Sequence, residues 1–222
     1  VTEIYADDIS LHEVAGYLFA HQEIGRFLLN AGLRLENHEL YGNEWVPQAG
    51  ISYRAARETH LKLSVSKGFR TPNLRELYMY ASANEALLPE RSLSYDFTVT
   101  QSLLQNRLSM EMSLYYMQGD NIVQVVQVNG RPQNQNVGEF TNKGIEFSLN
   151  YHVMNNLQIT GNYSYLHMDT PTTGAPRNKF YAGATYSPGR FTLNAGAQVI
   201  DQLYLSTGEN AQTSDFVSVD AK

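Results

Sequence analysis

The sequence contains no cysteine and no long apolar run, and both absences limit what the protein can be. Among its 222 residues there is no cysteine and one tryptophan. The absence of cysteine excludes a disulfide scaffold and a thiolate metal site. No apolar run is long enough to form a transmembrane helix. Residues 1–10 lack the basic and apolar regions of a signal peptide, which a mature or a truncated chain explains equally well.

Acidic residues outnumber basic ones, so the formal net charge is −6 at pH 7. A chain of this charge is not expected to bind nucleic acid, whose phosphates attract basic surfaces. Tyrosine is abundant instead, with 15 copies, and it suits a membrane interface because its ring is apolar and its hydroxyl is polar. The mean hydropathy of −0.37 fits a water-soluble protein. It fits a membrane β-barrel equally well, because the polar lumen face offsets the lipid face.

Strict alternation of apolar and polar residues is the main pattern, and it is clearest in residues 107–117. A β-strand places successive side chains on opposite faces, so such a segment predicts a strand with one apolar face. The apolar positions of this segment are Leu108, Met110, Met112, Leu114 and Tyr116. Ten segments of this kind predict ten strands, and an eleventh begins at about residue 216. The ten span residues 11–21, 26–36, 45–54, 59–69, 93–104, 107–117, 143–153, 157–168, 178–187 and 191–200.

The connections between these strands are predicted to alternate between short and long. The short ones are residues 22–25, 55–58, 105–106, 154–156 and 188–190; the long ones are 37–44, 70–92, 118–142, 169–177 and 201–215. Short turns at one end and long loops at the other are typical of outer-membrane barrels. The sequence therefore predicts an all-β fold, an antiparallel up-and-down transmembrane β-barrel wall.

The number of strands predicts part of a larger barrel. The sequence ends inside a predicted strand, and an open sheet edge in lipid would leave backbone groups without partners. We therefore expect residues 1–222 to be a partial outer-membrane barrel domain. The complete barrel would have about 22 strands, with a lumen wide enough to need a plug.

Three short motifs then carry a resemblance to a known family. Residues 66–78 read SKGFRTPNLRELY, residues 84–92 read NEALLPERS and residues 142–146 read NKGIE. Their order and spacing resemble TonB-dependent outer-membrane receptors, in which such motifs mark the points where strands leave and re-enter the wall. The resemblance covers about residues 66–151, and the flanking strands match in pattern only.

We interpret the motif residues mainly as structural residues that end or shape the strands of the wall. Proline fixes φ and removes a hydrogen-bond donor, and glycine permits close backbone approach. Glu146 falls on the polar face, where it could pair with a plug or lumen cation. The structural motif residues are Gly68, Phe69, Pro72, Pro89, Glu90, Gly144 and Glu146.

The resemblance implies a receptor for TonB-dependent active uptake of a scarce nutrient, a ferric siderophore or another metal chelate, across the outer membrane of a Gram-negative bacterium. It implies three partners: the TonB complex through a plug domain, outer-membrane lipid, and a small chelate or cofactor as ligand. A passive porin or structural barrel is the alternative. No catalytic motif is present, so we expect no enzyme activity and no cofactor, and six scattered histidines predict no metal site.

Candidate ligand residues lie in the outer loop 70–92 and at its end. Arginine and tyrosine side chains suit an anionic, aromatic ferric siderophore through charge-assisted hydrogen bonds and stacking. The candidates are Arg70, Arg75, Tyr78, Tyr80 and Arg91. The tyrosines fit an aromatic girdle as well. The glutamine- and asparagine-rich loop 118–142 suits a neutral ligand such as cobalamin or a sugar, or it is simply a solvated hairpin. Segment 70–92 contains no histidine that could ligate haem iron, which weakens the case for haem as the ligand.

Overall fold

The computed structural model describes residues 9–206 and 211–222. Part of the predicted connection 201–215 therefore lies outside the described residues, as does most of the segment 1–10. Within the described part, no helix is both long and apolar enough to cross a membrane.

Eleven long strands form one sheet, and a short helix and a hairpin lie in two of the connections. The strands of the main sheet are β1 (Glu13–Ile24), β2 (Phe27–His38), β3 (Gly42–Ala56), β4 (Thr59–Arg70), β5 (Glu90–Leu103), β6 (Leu108–Asp120), β9 (Phe140–Met154), β10 (Leu157–Met168), β11 (Pro176–Tyr186), β12 (Leu193–Tyr204) and β13 (Thr213–Ala221). The helix α1 is Leu74–Tyr78, and the hairpin is β7 (Val123–Val128) with β8 (Arg131–Asn136). All eleven predicted wall strands are confirmed.

Each strand of the main sheet pairs antiparallel with the next along the chain. The one apparent jump, from β6 to β9, arises because β7 and β8 pair only with each other in a sheet of their own. Strands β1 and β13 are the two edges of the main sheet in the described residues. The all-β, antiparallel up-and-down wall is therefore confirmed.

The register aligns the apolar positions of neighbouring strands into continuous rows. Leu114 of β6 lies opposite Phe97 on one side and Ile145 on the other, and Ile145 lies opposite Tyr165. Paired residues share a face of the sheet, so these rows form one apolar face. Phe97, Leu114 and Ile145 are all exposed, as expected of side chains whose surroundings are lipid.

The other face is polar along the same strands. One row runs straight across six strands with small hydroxyl side chains between its charges. It consists of Lys62, Thr98, Ser113, Glu146, Ser164 and Lys179. In a barrel wall, a face of this composition lines the interior.

The predicted loops need three corrections at the long-loop end. The connection predicted over 37–44 is wrong, because β2 and β3 pair until His38 opposite Gly42 and leave only residues 39–41 as a turn. The apolar pattern ends near Trp45, but backbone pairing continues beyond it. The segments 70–92 and 118–142 were predicted to be loops, and they contain α1 and the β7–β8 hairpin respectively. Both elements are too short for periodicity to reveal them.

Candidate functional site

The outer loop between β4 and β5 is folded around a small apolar core. Leu77 of α1 is 1% exposed and Leu87 is 2% exposed, and Pro72 is also buried. The hydroxyl of Tyr41, from the β2–β3 turn, donates a hydrogen bond to the Leu87 carbonyl at 3.0 Å. Burial, followed by the neighbouring Tyr78 and Glu76, raises the pKa of Tyr41, so this hydroxyl stays a neutral donor.

Helix α1 begins at a complete capping box. The Asn73 side-chain oxygen accepts hydrogen bonds from the backbone N–H groups of Arg75 and Glu76 at 2.9 and 3.1 Å. The Glu76 carboxylate accepts the Asn73 N–H in return, at 2.9 Å. These bonds satisfy N–H groups that have no partner inside the helix, so a helix of only one turn becomes stable here.

Arg70 joins three segments of the outer surface. It lies opposite Glu90 at the end of the β4–β5 ladder and makes two hydrogen bonds to that carboxylate, at 2.7 and 2.6 Å. Its third nitrogen contacts both Glu76 oxygens at 3.1 and 2.9 Å. Glu90 also accepts the backbone N–H of Val123, where the hairpin begins, at 2.7 Å. We call Arg70, Glu76 and Glu90 the Arg70 clasp, since they tie α1 and the hairpin to the wall.

A second ionic cluster lies where backbone pairing between β3 and β4 stops. The last pair of that ladder is Gln48 with Ser66, although both strands continue towards the outer end. Pro47, the next residue of β3, has no N–H to donate. Side chains therefore have to connect the two strands above this point.

Glu44 supplies that connection. Its carboxylate accepts hydrogen bonds from Arg91 at 2.9 and 3.2 Å, and it also pairs with Lys67. Glu44 is only 9% exposed. The Arg91 guanidinium lies 5.9 Å from the centre of the Phe69 ring, a cation–π distance. Sequence reasoning missed Glu44, because its role depends on where a ladder ends, and no local pattern shows that.

Asparagine side chains attach the β7–β8 hairpin to the outer loop. Asn136 both donates to the Leu88 carbonyl at 2.9 Å and accepts the Leu88 N–H at 2.8 Å, as a neighbouring strand would. The side chain of the buried Asn134 donates to the backbone carbonyl of Glu76 at 3.1 Å. The backbone carbonyl of Asn134 accepts a hydrogen bond from the Asn84 side chain at 2.8 Å. Two of the amides predicted as candidates for a neutral ligand thus hold the loops together.

The predicted ligand residues fall into two groups. Arg70 and Arg91 are engaged by carboxylates of the chain itself. Arg75 and Tyr80 are exposed, and Tyr78 is half-buried beside the Tyr41 turn. Tyr80 is 68% exposed with φ of +69°, a backbone region that bulky residues rarely adopt. A ligand role for all five stays a prediction.

The motif residues have local structural roles. The backbone position of Gly144 lies directly opposite Tyr115, whose ring covers it, and close to the Tyr165 carbonyl. A Cβ on Gly144 would be well inside van der Waals contact with both. A Cβ on Gly68 would come too close to the Ser92 hydroxyl, which is part of a small side chain. Like Pro72, Pro89 is buried, and it lies immediately before β5.

Glu146 lies on the polar face in a concavity of about 480 Å³ that also contains Glu111, Lys179 and Tyr181. In the described residues, Glu146 forms no ion pair. Its pairing with a plug or lumen cation therefore stays a prediction. No group of three or more potential metal-ligating residues occurs in the part of the chain that the structure describes.

The fold and loops define the class of the protein: an antiparallel wall with one apolar face, tight turns at one end and structured loops at the other, as in outer-membrane barrels. The family model described as TonB dependent receptor-like, beta-barrel matches residues 3–222. The chain belongs to this family of receptor barrels.

Relatives and solved structures agree with this placement. The chain is 25% identical over 209 residues to an uncharacterized TonB-dependent receptor of Haemophilus influenzae, covering 80% of this chain and 60% of the relative. It is 25% identical over 137 residues to the vitamin B12 transporter BtuB of Vibrio cholerae, covering 62% and 22%.

Among structures, the ferric enterobactin receptor PfeA of Pseudomonas aeruginosa matches with a TM-score of 0.73 and 16% identity, over 92% of this chain and 36% of that one. The FrpB iron transporter of Neisseria meningitidis matches with a TM-score of 0.70 and 15% identity, over 96% and 38%. These structures show the fold alone. The chain spans 60% of the length of the Haemophilus relative and little more than a third of these structures.

Proposed function

We propose that this chain forms about half of the barrel wall of an outer-membrane receptor that takes up a ferric siderophore or another metal chelate, driven by TonB. Family membership over residues 3–222 is the observation that carries the proposal. The complete receptor would include a plug domain inside the barrel, and the TonB complex would act on that plug. The polar face, on which Glu146 forms no ion pair in the described residues, suits contact with such a domain.

The outer surface supports an anionic, aromatic ligand. Arg75 and Tyr80 are exposed next to the Arg70 clasp, which holds the loop in place. Tyr80 offers its ring for stacking, and Arg75 offers five donors that no carboxylate of the described residues occupies. Rigid loops lower the entropy cost of binding, because their side chains are already ordered.

Transport in cells tests the driving force. The complete receptor should support growth on a ferric tris-catecholate as sole iron source in a strain without its own receptors, and this growth should disappear when TonB is deleted. Uptake that continues without TonB and without a proton gradient would instead establish the alternative, a passive pore. A strain carrying the empty vector is the control.

Ligand variants test the site. The double variant Arg75→Gln with Tyr80→Ala should weaken binding of the chelate about tenfold or more, since one charge-assisted contact and one aromatic contact together contribute about 2 kcal/mol. Equilibrium binding to purified receptor measures this effect. Arg131→Gln, at an exposed position of the β7–β8 hairpin, is the matched control and should bind as the parent does. Equal affinity in the double variant would remove Arg75 and Tyr80 from the site.

Cobalamin is the second candidate ligand. The relatives named as vitamin B12 transporters favour it, and so do the exposed amides of Gln127 and Asn129 on the hairpin, which make no side-chain hydrogen bond in the described residues. Cyanocobalamin belongs in the same binding assay. Binding of cyanocobalamin but not of the ferric chelate would establish this alternative.

A further inference from the structure

The β7–β8 hairpin has one edge that is covered and one that is open. In the described part of the chain, β7 and β8 pair only with each other. The outer loop between β4 and β5 covers the edge of β8, where the Asn134 N–H donates to the Ser82 carbonyl at 2.7 Å. The Asn136 side chain exchanges two hydrogen bonds with Leu88 at the same edge. Pro132, near the other end of β8, has no N–H to expose, so this edge does not offer a regular ladder.

The register of the hairpin shows which backbone groups of β7 point outward. In an antiparallel pair of strands, residue pairs that exchange hydrogen bonds alternate with pairs whose N–H and C=O groups point away from the partner strand. Val125 lies opposite Asn134, whose N–H leaves the hairpin, so the backbone groups of Val125 point outward as well. Gln127 is two residues further along β7 and lies opposite Pro132, so its groups point the same way.

These outward groups of β7 are largely without partners. The N–H of Val123, the first residue of the strand, donates to Glu90 of the Arg70 clasp at 2.7 Å. The outward N–H and C=O groups of Val125 and Gln127 form no hydrogen bond among the residues that the structure describes. Val125 is 56% exposed, and Gln127 is exposed too. The two residues therefore present two donors and two acceptors, repeated about 7 Å apart along the strand. We call these four groups the β7 edge.

The β7 edge is regular and carries none of the usual protection against strand addition. Proteins protect exposed edges with lysine, proline, bulges or inward-pointing charges. The strand reads VQVVQV, without charge or proline, and its register with β8 is unbroken. The turn residues Asn129 and Gly130 have φ of 52° and 76°, and positive φ at both positions is what a type I′ hairpin turn requires. The hairpin is thus a pre-formed template that the Arg70 clasp and the asparagine contacts hold in place.

Backbone spacing and charge indicate what occupies the β7 edge. Donors and acceptors that repeat at the spacing of a strand match another polypeptide backbone, which is how strand addition recognises peptides. Arg131 lies opposite Val128 at the tip of the hairpin, is exposed, and forms no ion pair in the described residues. A second copy of the hairpin would bring another arginine to this row, whereas a segment with an acidic residue would complement it. A neutral, β-branched segment that begins with an acidic residue fits best.

We propose that the β7 edge binds an extended segment of another protein as an added antiparallel strand on the outer side of the wall. Antiparallel pairing places the first residue of that segment opposite Val128, in the row of Arg131, and forms up to four backbone hydrogen bonds with Val125 and Gln127. The interaction uses backbone groups of the hairpin, so it does not depend on which nutrient the receptor takes up. Absence of this interaction would leave the uptake proposal intact, and the reverse also holds.

Surface plasmon resonance with the complete receptor in detergent tests the proposal. The probe is the peptide Glu-Thr-Val-Val-Thr-Val, acetylated at its N-terminus and displayed on tetravalent streptavidin, which raises the apparent affinity. The comparison peptide carries N-methyl groups on its second and fourth residues, which would lie opposite Gln127 and Val125. The unmodified peptide should bind, and the methylated peptide should bind at least about fivefold more weakly, because it lacks the two N–H groups that complete the ladder.

A receptor variant tests the same contact from the other side. Val125→Pro removes an outward N–H, and it leaves the β7–β8 ladder bonds in place, because Val125 is at a position that makes none of them. This variant should bind the unmodified peptide about fivefold more weakly. The matched control is Val125→Thr, which keeps the backbone N–H and the β-branched shape and should bind as the parent does. The methylated peptide keeps the test valid if Val125→Pro disturbs the hairpin.

Four outcomes would each overturn the proposal. They are no binding of the unmodified peptide, equal binding of the two peptides, equal binding by Val125→Pro and the parent, and a parent dimer that Val125→Pro dissociates. The last outcome, measured by sedimentation of the receptor in detergent, would assign the β7 edge to a second copy of this chain.

Discussion

Replacing Gly144 with alanine should destabilise the barrel wall by about 2–3 kcal/mol, the upper range for overpacking a well-packed site. The new Cβ would collide with the Tyr165 backbone carbonyl on one side and with the Tyr115 ring on the other. The ring could turn away, but the carbonyl belongs to β10 and could move only if β9 and β10 separated. The alanine would thus disturb the sheet and not just one side chain.

Urea unfolding of the complete receptor in detergent micelles measures this cost, and loss of the mobility shift on boiling gives a simpler assay. Gly161→Ala is the matched control, since a Cβ there would meet only the Tyr181 carbonyl at 3.9 Å, an ordinary contact. Both substitutions change glycine to alanine in neighbouring strands of the same sheet. If the two variants have equal stability, the close approach at Gly144 is not what requires glycine.

Replacing Arg70 with glutamine should release the outer loops while the wall remains folded. The substitution removes four contacts to Glu76 and Glu90, and it leaves these two carboxylates near each other without a cation. Charge-assisted hydrogen bonds of this kind contribute about 1.5–3 kcal/mol each when buried and less at a half-exposed site, so a loss of about 2 kcal/mol is expected for the loop contacts. Protease cleavage within residues 71–89 and 121–139 on intact cells should increase at least tenfold.

Arg70→Lys distinguishes geometry from charge at the Arg70 clasp. Lysine keeps the positive charge but cannot form the paired hydrogen bonds to Glu90 while also contacting Glu76. We therefore expect this variant to be cleaved nearly as fast as Arg70→Gln. Arg75→Gln is the control, because Arg75 lies five residues away in the same loop and forms no ion pair in the described residues. Loops that stay protected in both Arg70 variants would show that the asparagine contacts alone hold them.

The strands of the wall could be predicted because each one shows its alternation of apolar and polar residues within its own sequence. A segment such as β6 alternates between lipid and lumen at every residue, and that period is visible without knowledge of its neighbours. The outer ends of the strands could not be predicted in the same way. At the outer ends of β2 and β3 the residues are polar on both faces, so the alternation fades near Trp45 while the hydrogen-bond ladder continues to Gly42.

In the candidate site, too, local features could be predicted and long-range contacts could not. The motifs around Gly68, Pro72 and Gly144 were visible in the sequence, and the resemblance they carry led to the correct family. The partners of Arg70 and Arg91 were not visible. Glu90 is 20 residues from Arg70, and Glu44 is 47 residues from Arg91.

Local periods and short motifs were enough to predict the fold class, the eleven strands of the wall, the apolar face and the family. Which cations are held by carboxylates of the chain became visible only when strands and loops were placed together in three dimensions. Arg70 and Arg91 are engaged, while Arg75 forms no ion pair in the described residues. The physical reason is that an ion pair needs two charges within about 4 Å, and that distance depends on strand register and loop path, which residues far apart in the sequence set together.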